Sequence, residues 1–380
     1  MTFALGAAAV IAWIYLMLGR GLFWLARERD DRGPAPVAPK QWPSVAIIVP
    51  ARNEADVIAK SLGSLVEQDY PGEFRIVLID DNSTDGTASA APASGRLEIL
   101  RGTALASGWT GKLWAVSQGI DLVSRVPAAP DYLLLTDADI AHAPDNLRAL
   151  VMRAEAGGLV LTSVMAKLAV ETWADRMMIP AFVFFFDMLF PFAWVNERSR
   201  KTAAAAGGCM LVRRDALERA GGIAAIRREI IDDCALGVLM KRQGSIWLGL
   251  TERAQSLRPY ADMSEIGRMI SRSAYAQLKF SPWLLAGTLI SLCIVYLAAP
   301  ALTLFASGPP RVLGALAWLA MAVTFQPMLR FYRQSPMWGI ALPIIGGIYA
   351  VFTVKSAIDV WRGRGGHWKG RAQAIVGGAA

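Results

Sequence analysis

Two histidines and three cysteines are all the imidazole and thiol that 380 residues offer. Histidine-based catalysis therefore has few candidates. Cys209, Cys234 and Cys293 show no paired spacing, which excludes a disulfide framework and a zinc site. They read as reduced thiols in a cytosol-facing domain. No Gly-x-Gly-x-x-Gly follows the first expected strand, so a dehydrogenase-type dinucleotide fold is disfavoured. Gly108-Trp109-Thr110-Gly111-Lys112-Leu113 is not a Walker loop. The glycine four residues earlier and the Ser or Thr after the lysine are both missing. There is no zinc-finger spacing, no aromatic–basic RNA motif and no internal repeat, so nucleic acid is not an expected partner.

Apolar residues are abundant: 54% of the chain is hydrophobic and the mean hydropathy is +0.37. That is too apolar for an ordinary soluble enzyme. Lys and Arg number 39 against 31 Asp and Glu. Beside long apolar stretches, this excess reads as attraction to anionic lipid and phosphate-bearing ligands. Residues 1–25 are apolar apart from Arg20. With no basic n-region and no small-residue cleavage site, an uncleaved anchor is preferred to a signal peptide. Arg27, Arg29 and Arg32 then place the next domain in the cytoplasm by the positive-inside rule. Residues 26–43 form a Pro-rich linker. Three more apolar stretches, 282–306, 312–328 and 338–354, fill a C-terminal membrane region at 281–357. If all three span, the basic tail 358–380, with Arg362, Arg364, Lys369 and Arg371, falls outside, against the same rule. One stretch is therefore a candidate re-entrant segment, and Pro343 with Gly346-Gly347 marks the last of them. The expected setting is the cell inner membrane, multi-pass, with the catalytic domain cytoplasmic.

Residues 44–280 read as the folded domain. Runs at 45–49 and 132–136 read as buried strands, and 75–79 and 97–100 as the second and third strands of the series. Helical patterns follow the first run and occupy 111–123. Alternating strands and helices imply an α/β fold with a mostly parallel, doubly wound sheet. Residues 173–195 carry Phe182, Phe184, Phe185, Phe186, Phe190 and Phe192, but also Asp175, Arg176, Asp187, Pro180 and Pro191. An interfacial segment with aromatic anchors fits this better than a spanning helix. A buried helix is the alternative. Residues 253–279 read as basic and amphipathic.

The apolar run 132–135 stops at Thr136 and two carboxylates, Asp137 and Asp139. The carboxyl end of a parallel strand is where open α/β sheets place ligands. In extended chain, side chains at i and i+2 point the same way. Magnesium is commonly shared between one or two carboxylates and substrate phosphates. This pair is thus a candidate metal–diphosphate site, and a solvated turn is the bland alternative. Asp80 and Asp81 end another strand, and Asp232 and Asp233 precede a helical pattern. Repeated return of carboxylates to one edge favours a site. His142 reads as a surface histidine rather than a metal ligand. Asp215 reads as an early-helix residue, and Cys209 and Cys234 as packed thiols.

Ile48-Val49-Pro50-Ala51-Arg52-Asn53-Glu54, Ile79-Asp80-Asp81-Asn82-Ser83-Thr84-Asp85-Gly86-Thr87, Thr136-Asp137-Ala138-Asp139 and Ile231-Asp232-Asp233 resemble the motifs of inverting family 2 glycosyltransferases, in order and spacing. Gly108-Trp109-Thr110-Gly111-Lys112-Leu113-Trp114, Pro180-Ala181-Phe182-Val183-Phe184-Phe185-Phe186 and Ala204-Ala205-Ala206-Gly207-Gly208-Cys209 resemble the hopene-associated branch, and more distantly ceramide glucosyltransferases. The resemblance implies a GT-A fold, a Rossmann-like sheet with helices on both faces, accompanied by transmembrane helices. It implies transfer of one sugar from a nucleotide donor, expected to be UDP-linked, to a lipid hydroxyl such as a hopanoid. Pro50, Arg52, Glu54, Asp80, Asp81, Lys112, Asp137 and Arg272 would bind the nucleotide sugar. Asp139 would hold Mn²⁺ or Mg²⁺, and Asp233 would be the general base. Gly207, Gly208 and Asp232 would lie on the acceptor side. The Gln-x-x-Arg-Trp-like motif of related enzymes is replaced by Met269-Ile270-Ser271-Arg272-Ser273, without the tryptophan, which speaks against a processive polymerase. A polyprenyl-phosphate acceptor and a non-catalytic membrane scaffold are the competing readings.

Overall fold

The computed structural model describes residues 1–33, 36–125 and 127–363, with the backbone of 367–368 and 371–372. Arg364, Lys369 and the side chain of Arg371, expected in the basic tail, lie outside the described residues. The chain divides into two compact units. One holds Glu28–Ala169 and Trp194–Arg258, and the other Met1–Arg27, Val170–Ala193 and Pro259–Gly366.

The first unit is built on one sheet. Its strands are β1 (Val45–Ala51), β2 (Phe74–Asp80), β3 (Leu97–Arg101), β4 (Tyr132–Thr136), β5 (Ile140–His142), β6 (Leu159–Lys167), β7 (Cys209–Arg213) and β8 (Ser245–Ser256). Their order is β3-β2-β1-β4-β7-β6-β8-β5. β3, β2, β1 and β4 are mutually parallel, as the sequence predicts. β7 then runs antiparallel to both β4 and β6, and β5 antiparallel to β8, so the far half is mixed. β1 reads Val-Ala-Ile-Ile-Val-Pro-Ala and is buried throughout, as a strand covered on both faces must be. Ile47 and Val49 share a core cluster with Ile58, Leu62 and Leu65 of the helix Ile58–Val66. Ile48 faces the other way, toward the helix Gly111–Ser124. A Cβ on Gly119 of that helix would lie 2.6 Å from Ile79 Cδ1 and 2.9 Å from Ile48 Cγ2, so only glycine lets helix and sheet meet this closely. Helices thus cover both faces. Strand order reverses between β1 and β4, and the crevice beyond their carboxyl ends is where such sheets bind ligands.

In the other unit, three helices are long and apolar enough to cross a membrane: Pro282–Phe305, Pro309–Phe331 and Leu342–Trp361. The helix Thr2–Leu18 is apolar but shorter, at 17 residues. The aromatic-rich stretch forms the helix Trp173–Leu189. Phe184 and Phe185 are buried, ringed by Phe23, Phe325, Tyr296 and Tyr349, while Trp173 remains 64% exposed. Its two carboxylates are hydrogen-bonded locally, and Arg176 is exposed. Asp175 completes a capping box with Thr172, and Asp187 Oδ1 accepts the Phe192 N–H at 3.0 Å.

The expected basic amphipathic stretch 253–279 is in fact two elements. Its first residues finish β8, and a helix begins only at Met263–Gln277, capped by Asp262. The end of β8, residues 251–256, is polar except for Ala254 and so carries no strand alternation, and Pro259 separates it from the helix that follows.

Candidate active site

The loops after β1 and β2 hold one another. Asn53 N–H donates to Ser83 Oγ at 3.0 Å, and Thr84 N–H donates to Asn53 Oδ1 at 2.9 Å. Glu54 N–H reaches Thr87 Oγ1 and Ala55 N–H reaches Asp85 Oδ2, at 2.9 and 3.0 Å. Asn53 and Asn82 both adopt left-handed backbone, at φ 53° and 54°, a conformation asparagine tolerates better than most residues. Asp80 is the last residue of β2 and caps the turn that follows, its Oδ1 accepting the Ser83 N–H at 3.0 Å. Asp81 is fully buried, with the Arg52 guanidinium 3.8 Å from its Oδ2. Arg52 also donates to the Asp81 carbonyl at 2.5 Å. Two of the sequence-predicted stretches are therefore one folded unit at the sheet edge.

Asp137 and Asp139 do not sit on extended chain. β4 ends at Thr136, and the residues after it turn, with Ile140 N–H donating to the Asp137 carbonyl at 3.3 Å. The expectation that period two would align the two carboxylates is corrected. A tight turn between β4 and β5 sets their positions instead. Burial raises the Asp139 pKa to about 6, and the charges on Asp137 and Glu54 add to it, opposed by Arg258. Glu54 is 8% exposed and accepts from Arg258 Nη2 at 2.5 Å, a guanidinium that also meets Asp56 at 2.9 Å.

Lys112 links the two sides of the site. It lies in the first turn of the helix Gly111–Ser124. Its Nζ stands 2.8 Å from Asp137 Oδ1 and 3.2 Å from Asp232 Oδ2. Burial by itself would depress the lysine, but Asp137, Asp232 and Asp233 outweigh it and hold the ammonium charged. Asp232 and Asp233 open the helix Asp232–Lys241, where the dipole favours carboxylates. Asp233 Oδ2 accepts the Gly207 N–H at 2.9 Å, and its Oδ1 accepts the Cys234 N–H at 2.7 Å. Burial, then the neighbouring Asp232, push the Asp233 pKa up to about 6, with Lys112 pulling it back. The antiparallel pairing Thr136↔Cys209 brings Gly207 and Gly208 beside Asp137. In the same helix Gly237 has no room for a side chain, since a Cβ would lie 2.6 Å from the Ala204 carbonyl carbon. A recess lined by Pro50, Lys112, Thr136, Asp137, Gly207 and Asp232 opens between these elements.

His142 is not on the surface. It is 5% exposed, and Asn146 Nδ2 donates to its Nδ1 at 2.8 Å. That bond leaves its Nε2–H to donate to Thr136 Oγ1 at 3.0 Å, and the hydroxyl donates onward to the Gly208 carbonyl at 2.8 Å. Burial lowers its pKa to about 4, so it is neutral at pH 7. The residue braces the Asp137 turn from beneath. Arg272 is exposed on the helix Met263–Gln277, which belongs to the other unit. Arg258 is the residue that sequence reading missed. Only the pairing of β5 with β8, more than a hundred residues apart in sequence, brings it there.

Residues 46–221 match the family model described as glycosyl transferase family 2. This segment is a family 2 glycosyltransferase domain. The chain is similar to the beta-monoglucosyldiacylglycerol synthase of Nostoc sp., 31% identical over 190 residues, covering 47% of this chain and 38% of that protein. It is also similar to an N-acetylglucosaminyltransferase of Rhizobium leguminosarum bv. viciae, 30% identical over 185 residues, covering 46% and 40%. The chain thus spans about two fifths of the length of the curated relatives it matches. Among solved structures, it resembles the mannosyltransferase PcManGT from Pyrobaculum calidifontis, solved in complex with GDP-Man and Mn²⁺. That likeness has a TM-score of 0.53 at 21% identity, covers 94% of this chain and 99% of the other, and carries the GT-A fold. The hopanoid-specific branch is not distinguished by these matches. Within the glycosyltransferase domain lie Lys112, Asp137, Asp139 and Gly207, whereas Asp232, Asp233 and Arg258 follow the matched segment.

Proposed function

We propose that the chain transfers a single sugar from a nucleoside-diphosphate donor to the hydroxyl of a lipid acceptor, with inversion at the anomeric carbon. The observation that carries this reading is the junction at Lys112. One half-buried ammonium pairs with Asp137, on the donor side of the sheet's switch point, and with Asp232, and Asp233 adds to the field that keeps it charged. Asp233 is held by two backbone N–H groups and keeps lone pairs for a third partner. In the reaction, the acceptor hydroxyl gives its proton to Asp233 as its oxygen bonds to the anomeric carbon. The bond to the diphosphate breaks on the opposite face. A carboxylate poised near pH 6 is suited to general base work and supplies about 10²–10⁴-fold. No second carboxylate is assigned as a nucleophile, so a single displacement is the expected course.

Asp139 fits a divalent metal, Mn²⁺ or Mg²⁺. It is a hard oxygen donor facing like charges on Asp137 and Glu54, and a cation would relieve that repulsion. Among the described residues no group of three or more acidic, histidine or cysteine side chains is arranged to hold a metal by itself. Magnesium-type sites commonly take their remaining ligands from phosphate and water. When bound, such an ion would act as a Lewis acid toward the departing diphosphate.

A lipid acceptor is supported by the three apolar helices and by the resemblance to a glucosyldiacylglycerol synthase. A UDP-linked donor and a hopanoid acceptor rest on the motif resemblance. A multi-pass inner-membrane enzyme with its sheet unit in the cytoplasm fits these readings. Calorimetric titration with UDP, GDP and CDP, with and without Mn²⁺, tests the donor reading, with Asp139→Ala alongside. Metal-dependent binding of one nucleotide, lost in the variant, is the expected result. Absence of binding under every condition would leave the scaffold reading in its place.

A further inference from the structure

Arg258 follows β8 and stands at the donor edge by construction. The β5–β8 ladder pairs Ile140 with Ser256, and one step further Leu257 N–H donates to the Asp139 carbonyl at 2.8 Å. The backbone of Arg258 is therefore fixed beside the Asp137–Asp139 turn. Its two hydrogen bonds, to Glu54 Oε2 at 2.5 Å and Asp56 Oδ1 at 2.9 Å, both leave from Nη2. Its Nε is buried and has no hydrogen-bond partner among the described residues. A guanidinium carries five donors in a planar fork suited to two oxygens of a phosphate. The side chain is 37% exposed. It sits on an edge crowded with Glu54, Asp56, Asp80, Asp81, Asp137 and Asp139. A diphosphate arriving there meets mostly carboxylates. Arg52 faces Asp81, and Lys112 is shared by Asp137 and Asp232. Arg258 makes both of its ion pairs, to Glu54 and Asp56, through Nη2.

We infer that Arg258 is a diphosphate-binding residue of the donor site, taking phosphate oxygens on the fork side that Glu54 and Asp56 leave open. This rests on the nucleoside-diphosphate donor proposed above. Glu54 and Asp56 then hold the guanidinium ready before the donor arrives, and the residue contributes to donor affinity rather than to proton transfer.

The test is calorimetry on the full-length protein with the nucleoside diphosphate that binds wild type, and with the matching nucleoside, in Mn²⁺ buffer. Arg258→Gln should weaken the diphosphate by about 10- to 100-fold, the range of one or two charge-assisted hydrogen bonds. It should leave nucleoside affinity within about twofold. Arg258→Lys, which keeps the charge and loses the fork, should fall between wild type and Arg258→Gln. Thermal unfolding confirms that each variant is folded. Equal weakening of nucleoside and diphosphate would overturn the inference, as would unchanged diphosphate affinity in Arg258→Gln. Full recovery on adding Glu54→Gln to Arg258→Gln would also overturn it, because the loss would then come from an unmasked carboxylate. If wild type binds no nucleotide, the donor reading falls and takes this inference with it. Wild-type binding with an indifferent Arg258→Gln removes the inference alone.

Discussion

The Asp233 carboxylate accepts the backbone N–H of Gly207 at 2.9 Å, and that bond aims the proposed base at the loop preceding β7. Asp233→Asn keeps the shape and removes the base. Transfer to a lipid hydroxyl should fall by about 10²–10⁴-fold, with nucleotide affinity by calorimetry little changed. Substantial turnover in Asp233→Asn would instead favour an acceptor already ionised, such as a polyprenyl phosphate.

The pH profile follows from the same group. A base works deprotonated, and Asp233 titrates at about 6. Transfer should therefore decline as pH falls through about 6. Lys112 lowers that value, so Lys112→Met should move the acidic limb to higher pH. The variant should also lose about 10²–10³-fold in kcat, comparable to deleting one electrostatic stabiliser in an active site. A limb that stays in place in Lys112→Met would show that the lysine does not sense Asp233.

Asp139→Ala should abolish the metal dependence of nucleotide binding, and chelation of wild type should mimic it. Nucleotide titrations with and without EDTA measure both. Retained Mn²⁺ stimulation in Asp139→Ala would place the ion elsewhere.

His142 makes a stability prediction. Its pKa is about 4 folded against 6.5 in the exposed chain. Between those values the unfolded state binds the extra proton, so this residue's stabilising share is complete above pH 6.5 and is lost as pH falls toward 4. Asp139 and Asp233, whose pKa values are raised, act oppositely in that window. The difference in unfolding midpoint between wild type and His142→Gln, followed from pH 7 to pH 4.5, isolates the histidine. The gap should shrink as pH falls.

Gly237→Ala should cost about 1–3 kcal/mol by overpacking, because the new methyl meets Ala204 backbone rather than a side chain that can rotate away. Transfer should fall with it, since the loop that moves carries Gly207. Chemical denaturation beside a rate measurement checks both.

Much of this was legible in the sequence where a run was apolar and closed by a carboxylate. β1, β2 and β4 declare themselves because strands buried on both faces need unbroken hydrophobicity. β7 hid behind a run of small residues, and β8 behind its polar half. The neighbours Asp80 and Asp81 looked equivalent in one dimension, yet one caps a turn and the other is fully buried beside Arg52. His142 was misplaced because a three-residue strand gives too short a period to show which way it faces. Arg258 carried no local signal at all. Its neighbourhood exists only through an antiparallel pairing between remote segments, which periodicity cannot register.

Lys112 draws its carboxylates from two chain segments about a hundred residues apart, so the site holds a fixed sum of charge rather than a set of independent residues. A neutralising change at Asp137 alters what Asp232 and Asp233 experience, and the harm of one substitution depends on the state of the others. In a saturation library, pairs among Lys112, Asp137 and Asp232 should depart from additivity. The family's tolerated sequences at these positions should be legible as combinations, not as columns read one at a time.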